Sequence, residues 1–381
     1  MTMELIERKE CIFTNSKNME HLSTIGSFPV FLGCADDLYE KDIMVDMSWS
    51  ICVDSGILQL DKLVPPSVLY SRSHGAGLVG DTWKKHRKQL ARFIEKINPA
   101  SVFEVGGGEG LLATEYNKTK NIPWTILEPN SKHDDFKNIT FIRGFFDDSF
   151  FYDSAADAVV ASHVFEHSHY PDNFMKRLST IVKEGKYLIL ALPNMEEELK
   201  QKYTNCIMLE HTFFLTQHNI EYILSKHGFR IVETENFPDN NSVFYAAIKD
   251  SSIDTVKLIN QYSENKKLYL DYIRHYESLI ARLNSRLEHV DGREVYLFGA
   301  HVFSQHLISV GLHTNSIVSV LDNDVNKQGK RLYGSTLRVD SPERLGGKKN
   351  PIVILFAAGY NEEIKQGILN NINNSVVFWE D

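Results

Sequence analysis

Two adjacent residues, Glu210 and His211, carry side chains suited to proton transfer. A carboxylate beside a histidine can hold one tautomer and raise its basicity, so that the imidazole takes a proton from an acidic C–H or O–H. The pair lies in Met208-Leu-Glu-His-Thr-Phe-Phe-Leu-Thr216, after an apolar run at 187–192. A second group, His163-Val-Phe-Glu166-His167, follows the apolar run 157–162. Its order is not His-Glu-x-x-His, so it reads as a site wall rather than a metal motif. His163, nearest the strand end, is expected to face a substrate, with Glu166 and His167 opening the next helix. The third group is Glu104-Val-Gly106-Gly-Gly108-Glu-Gly110. A strand that turns through glycines into a helix brings bare backbone next to a ligand. Glu104 disfavours a phosphate there and suits a cationic group or a hydroxyl. Glu128 ends the next apolar run, about 20 residues beyond the glycines, where a carboxylate can hold ribose hydroxyls. Phe146 and Asp147 follow a further run at 139–142 and can flank an adenine and accept from its amino group.

The elements that must position these groups alternate between short apolar runs and helical patterns from about 99 to 248. Strands are expected at 101–105, 124–128, 139–142, 157–162, 187–192, 229–234 and 242–248, in a doubly wound, mostly parallel α/β sheet. Ligands of such sheets sit beyond the carboxyl ends of the strands, where Glu104, Glu128 and Asp147 all fall. Asp81 to Ile97 reads as a helix, and Thr216 as the N-cap of a helix over 217–227 that stops at Gly228. The segment Leu69-Tyr70-Ser-Arg-Ser-His-Gly-Ala-Gly77 is placed to close over a bound ligand. Residues 251–290 carry apolar positions at helical spacing, as one long helix or a broken pair. Residues 293–381 begin a second α/β unit: Gly299 follows a strand but lacks glycine partners, so no cofactor is assigned there. Asn323, Lys327, Gln328, Gly329 and Lys330 read as a solvated turn.

Glycine loop, strand-end Glu104 and Glu128 together resemble the S-adenosylmethionine site of class I methyltransferases. NAD is the main rival, and a carboxylate in the first strand is the feature it explains worst. The N-terminal 65 residues are turn-rich. Cys11-Ile-Phe-Thr14 and Cys52-Val-Asp-Ser55-Gly56 have the outline of two zinc-knuckle arms, with a hydroxyl in place of each second thiol. Hydroxyls are poor zinc ligands beside thiolates, so no metal is expected, and Cys34 and His21 complete no recognisable spacing.

The chain has 381 residues, a formal net charge of −9 and no basic run, which does not favour nucleic acid as a partner. No apolar run is long enough to span a bilayer, and the charged start is not a signal peptide. Four scattered cysteines suggest reduced thiols and a cytoplasmic protein. The oligomeric state is not readable.

The order of these motifs resembles the nucleotide-sugar C-methyltransferases, which methylate carbon 3 of dTDP-4-keto-deoxysugars. The resemblance rests on the double Cys arm, the Tyr-Ser-rich loop and Glu-x-Gly-x-Gly-x-Gly. It continues through Glu-Pro, His-x-x-Glu-His, Glu-His and Leu-Asp-Asn-x-x-x-Lys-Gln-Gly-Lys. It implies a degenerate zinc-binding-like N-terminal domain (1–65), a Rossmann-like methyltransferase domain (66–250), a helical linker (251–290) and a Rossmann-like lobe (291–381) that helps hold the nucleotide sugar. It places His211 as general base oriented by Glu210, with His163 or Tyr70 stabilising an enolate. The chain departs from the family at Thr14 and Ser55, and at Met208, where the family has a tyrosine. Two other readings stay open: O- or N-methylation of a related molecule, and a non-catalytic cofactor-binding scaffold.

Overall fold

The computed structural model describes residues 3–70, 81–130, 137–147, 149–152, 155–238 and 242–380. Most of the loop singled out above, from Ser71 to Gly77, and Asp148 lie outside the described residues.

Four-residue runs such as Val102–Val105 are buried at every position, as strands covered on both faces must be. Seven strands form one sheet. Its order is Phe229–Phe237, Ser242–Lys249, Tyr187–Pro193, Ala158–Ser162, Val102–Val105, Trp124–Leu127 and Ile139–Ile142. All pair in parallel except Ser242–Lys249, which runs antiparallel to both of its neighbours. The expected strands all exist. The edge strand Phe229–Phe237 extends three residues past its expected end, with alternating burial. The chain order reverses between Val102–Val105 and Ala158–Ser162, and a ligand crevice opens beyond the carboxyl ends at such a reversal. The helix Asp81–Ile97 covers one face through Leu90, Phe93 and Ile94. Thr216 caps Gln217–Lys226 through a reciprocal box with Asn219, and Gly228 follows with φ +74°.

The N-terminal residues form an antiparallel sheet in the order Phe213–Phe214, Leu58–Leu60, Met44–Cys52 and Met19–Pro29. Its first strand belongs to the segment that carries Glu210 and His211. Phe213 pairs with Gln59 and Phe214 with Leu58, and Thr212 accepts from the Leu60 N–H at 3.0 Å.

The linker is one helix, Tyr262–Leu287. Val256 and Ile259, read as part of its apolar stripe, are exposed and precede it in an irregular stretch. Their backbone N–H groups donate to Ser225 Oγ and His218 Nε2 instead of closing helical turns. The buried face of Tyr262–Leu287 joins Trp49, Phe214, Leu297 and Trp379 in one hydrophobic core. The C-terminal lobe is a five-stranded parallel sheet: Val339–Asp340, Ile317–Leu321, Val295–Phe298, Ile352–Leu355 and Val377–Trp379. It is tied to the N-terminal part by Arg331–Leu332 pairing with Cys34–Ala35. Arg331 also grips both carboxylate oxygens of Asp42, at 2.6 and 2.8 Å. The turn after Ile317–Leu321 is internally closed, with Lys327 on Asp322 at 3.0 Å and Gln328 on the Asp322 carbonyl. No helix among the described residues is long and apolar enough to cross a membrane.

Candidate functional site

Gly106, Gly108 and Gly110 all have positive φ, between +55° and +71°. At Gly106 a Cβ would stand 2.5 Å from Val164 Cγ2, while at Gly108 it would meet open space. The loop is therefore packed from below at Gly106 and bare on its outer side at Gly108. Gly106→Ala combines backbone strain with overpacking and should destabilise the fold by roughly 2–6 kcal/mol. A thermal melt would measure it. Adding Val164→Ala should recover the steric part only, and wild-type behaviour of the single variant would refute this account of the loop.

Glu128 spans the loop, accepting from the Gly108 N–H on one oxygen and from the Asn130 N–H on the other, both at 3.1 Å. That puts a carboxylate at the edge of the bare glycine surface, as the sequence implied. Glu104 lies deeper than expected. It is 3% exposed, accepts from Trp124 Nε1 at 2.7 Å, and sits beneath Gly107, where a Cβ would come within 2.8 Å of its carboxyl carbon. Burial, offset in part by the Trp124 hydrogen bond, pushes its carboxyl up to about 7. Phe146 is turned into the apolar cluster, edge-on to Phe174 with Arg177 over its ring at 5.6 Å. Asp147 is exposed and turned onto the Ser149 N–H and hydroxyl.

Beyond the ends of Ala158–Ser162 and Tyr187–Pro193 lies a second cluster. His163 has φ +53° and so turns back on itself. Its Nδ1 meets Glu166 Oε1 at 3.2 Å and its Nε2 meets the Ser242 hydroxyl at 3.1 Å. The short 3-10 turn Phe165–His167 then presents His167, whose ring centroid is 5.3 Å from that of His211. His167 is thus an imidazole facing His211, a pairing that the sequence reading did not anticipate.

His211 is 7% exposed and its Nδ1 lies 3.1 Å from the Cys206 carbonyl. A carbonyl only accepts, so Nδ1 carries the proton and Nε2 keeps its lone pair. The Cys206 carbonyl is thus an orienting group of the His211 ring. Glu210 contributes its own carbonyl, which accepts from His167 Nδ1 at 3.0 Å. Burial first, then the neighbouring His167, lowers His211 to about 4. Glu166 is 3% exposed. Burial alone would raise it, but the His163 hydrogen bond and the surrounding imidazoles bring it down to about 2. Tyr70 enters from the short helix before the undescribed loop. Its hydroxyl is held far above its ordinary range by burial and by Glu210 and Glu166, so it stays a proton donor. Glu198, not anticipated, is buried in the next helix, and burial pushes it up to about 8. A pocket of about 240 Å³ opens beside Glu166, with Asn194, Gln217 and Tyr245 in its wall.

Arg8 secures the backbone behind this cluster. Its guanidinium donates to the carbonyls of Thr212 (2.6 Å), His169 (2.7 Å) and Ser168 (3.2 Å), next to His211 and His167 in sequence. Burial lowers it to about 9, so it remains charged at neutral pH. Arg8→Met removes one donor from each of these carbonyls, of which Thr212 keeps the Leu60 N–H and Ser168 the Thr212 hydroxyl, and should cost roughly 2 kcal/mol or more. Turnover should fall while cofactor affinity holds, which urea melts and steady-state kinetics would test. An unchanged kcat would exclude a positioning role.

The zinc-knuckle outline is also realised in space. Cys11 Sγ lies 3.6 Å from Ser55 Oγ, and Cys52 Sγ lies 4.0 Å from Thr14 Oγ1. The two thiols share a hydrogen bond that raises Cys11 and lowers Cys52. Cys34 and His21 stand apart, on the Ala300 carbonyl and on Asp61 respectively.

A family model described as a methyltransferase domain matches residues 82–234, and one described as a C-methyltransferase C-terminal domain matches residues 253–376. C-methyltransferase NovU of Streptomyces niveus is 24% identical over 212 residues, covering 52% of this chain and 50% of that protein. The match thus spans about half the length of that relative. Among solved structures, the 1,6-didemethyltoxoflavin-N1-methyltransferase of Burkholderia thailandensis is 12% identical with a TM-score of 0.36, covering 45% of this chain and 81% of that one. Human N-acetylserotonin methyltransferase is 16% identical with a TM-score of 0.36, covering 49% and 60%.

Proposed function

We propose that this S-adenosylmethionine-dependent methyltransferase places its methyl group on carbon, next to the ketone of a nucleotide-linked keto-deoxysugar, through an enolate. The observation that carries this reading is the buried His211, whose Nδ1 is tied to the Cys206 carbonyl and whose Nε2 is left as a proton acceptor. S-adenosylmethionine supplies an electrophilic methyl when bound; Gly106, Gly108 and Gly110, with Glu128, would hold it.

In this reading the ketone acidifies the neighbouring C–H, and His211 Nε2 removes that proton. Charge develops on the ketone oxygen. Tyr70, kept protonated by burial, is the donor that would stabilise it. His163 acts differently from the expectation: it fixes the Glu166 carboxylate, which in turn faces His167 and His211. Much of the acceleration comes from aligning the acceptor carbon with the methyl group. The C-terminal lobe, 291–381, would take the nucleotide, and the N-terminal 65 residues would buttress the His211 segment.

The test is incubation with labelled S-adenosylmethionine and a panel of dTDP-, GDP- and CDP-linked keto and reduced sugars. Mass spectrometry would follow transfer, and solvent deuterium would follow exchange at the carbon beside the ketone. Transfer with exchange supports the enolate route; transfer to reduced sugars alone would make the reaction an O-methylation.

The pH profile gives a second check. A neutral base works above its own pKa and is lost on protonation as pH falls. With His211 lowered to about 4, the acid limb of kcat/KM should fall well below the ordinary histidine value of about 6.5. A limb centred at 6.5 or above would count against His211.

A further inference from the structure

Glu166, His167 and His211 offer donor atoms that all lie within 4.8 Å of one another. Both imidazoles have Nδ1 engaged by a backbone carbonyl, that of Glu210 for His167 and that of Cys206 for His211. Each therefore presents an unprotonated Nε2 to the same small volume. A backbone carbonyl behind a histidine is the usual outer partner of a metal-ligating imidazole, because it fixes tautomer and ring orientation. Glu166 has one oxygen on His163 Nδ1, while the other, Oε2, is buried and has no hydrogen-bond partner. An unpartnered buried carboxylate oxygen costs free energy unless a cation or a donor meets it. Two imidazoles and one carboxylate suit zinc and its neighbours and disfavour magnesium or calcium, which take oxygen ligands.

We infer that these three side chains form a divalent transition-metal site, with zinc as the expected ion. The inference shares His211 with the proton-transfer reading above, and the two uses of its Nε2 exclude each other. A metal on that lone pair leaves no base, so zinc is a reversible inhibitor of methyl transfer that acts at the base and not at the glycine loop. Three protein ligands would leave the fourth tetrahedral position open.

The experiment is a Co²⁺ titration of the full chain, previously treated with chelator, followed by visible absorption. The expected result is one ion per chain with d–d bands and no sulfur-to-cobalt charge transfer. His167→Ala and Glu166→Gln should weaken binding by more than the roughly 100-fold that loss of an outer-shell partner costs. Cys11→Ser/Cys52→Ser should bind as the wild type does. Zn²⁺ should inhibit methyl transfer without changing S-adenosylmethionine affinity, and chelator should restore the rate. His167 is partly exposed, so its variant serves if Glu166→Gln does not fold. Absence of bound Co²⁺, undiminished affinity in His167→Ala, or a thiolate band that disappears with the two cysteines would each overturn the site. Failure of the base reading is separate: it would appear as methyl transfer surviving in His211→Ala, whatever the cobalt spectrum shows.

Discussion

His211→Ala is expected to lower kcat by roughly 100- to 10,000-fold, the usual contribution of a general base, with S-adenosylmethionine binding unchanged. The cofactor surface proposed at Gly108 and Glu128 and the imidazole lie on different segments, and among the described residues no hydrogen bond connects His211 to the glycine loop. The substitution also empties a buried position, so His211→Asn, which keeps most of the volume, separates loss of chemistry from loss of packing. Solvent deuterium exchange at the carbon beside the ketone should vanish in both variants, because exchange reports proton removal before methyl transfer. Cofactor affinity by calorimetry, exchange by mass spectrometry and kcat by labelled transfer together make the test. Full activity in a folded His211→Ala protein would mean that another group is the base. Glu198, raised to about 8 by burial, would then be the next residue to change.

Replacing Thr14 and Ser55 together by cysteine is expected to create a zinc site where the chain has none of the required four thiolates beyond two. Four sulfurs at about 2.3 Å from a tetrahedral centre lie roughly 3.8 Å from one another. The native side chains already meet at 3.6 Å (Cys11 to Ser55) and 4.0 Å (Cys52 to Thr14). The turns that carry them are also formed: Cys52 accepts from the N–H groups of Ser55 and Gly56, and Cys11 accepts from that of Asn15. A preformed site spares zinc the cost of organising its ligands. With free zinc at about 1,000 times Kd the folded state gains about 4 kcal/mol, read as a rise in Tm of several degrees. Cobalt should give the sulfur charge-transfer band in Thr14→Cys/Ser55→Cys and not in the wild type. A double variant without that band would show that the knuckle spacing is only superficially retained.

Much of this architecture could be read from residue patterns, and the exceptions share a cause. Short buried runs such as Val102–Val105 and Ala158–Ser162 are legible because a strand covered on both faces is almost continuously apolar. Glycines at positive φ and the Thr216 cap are legible because few residue types satisfy those backbone demands. Side-chain direction in irregular segments was not. Glu210 and His211 are neighbours in sequence, yet the imidazole takes its orientation from Cys206, five residues back. His163 is nearest the strand end, yet its Nδ1 lies against Glu166, three residues on, and His167 meets the His211 ring. Asp147 turns one carboxylate oxygen onto the Ser149 N–H and hydroxyl, two residues on. In each case a local hydrogen bond two to five residues away decided the outcome, and no periodicity encodes it.

The pairing of Phe213 with Gln59 and of Phe214 with Leu58 bears on how such a chain can be inherited. The stretch that matches a methyltransferase domain by sequence, 82–234, contains a strand whose hydrogen-bonding partner is encoded before its start. Recombination that moved this stretch alone into another gene would deliver the glycine loop intact and the His211 segment unanchored. The unit that can be exchanged without loss is therefore larger than the unit that can be recognised, and residues before 66 should travel with it. Change in the donor strand and change in the segment it anchors are then expected to be accepted together or not at all.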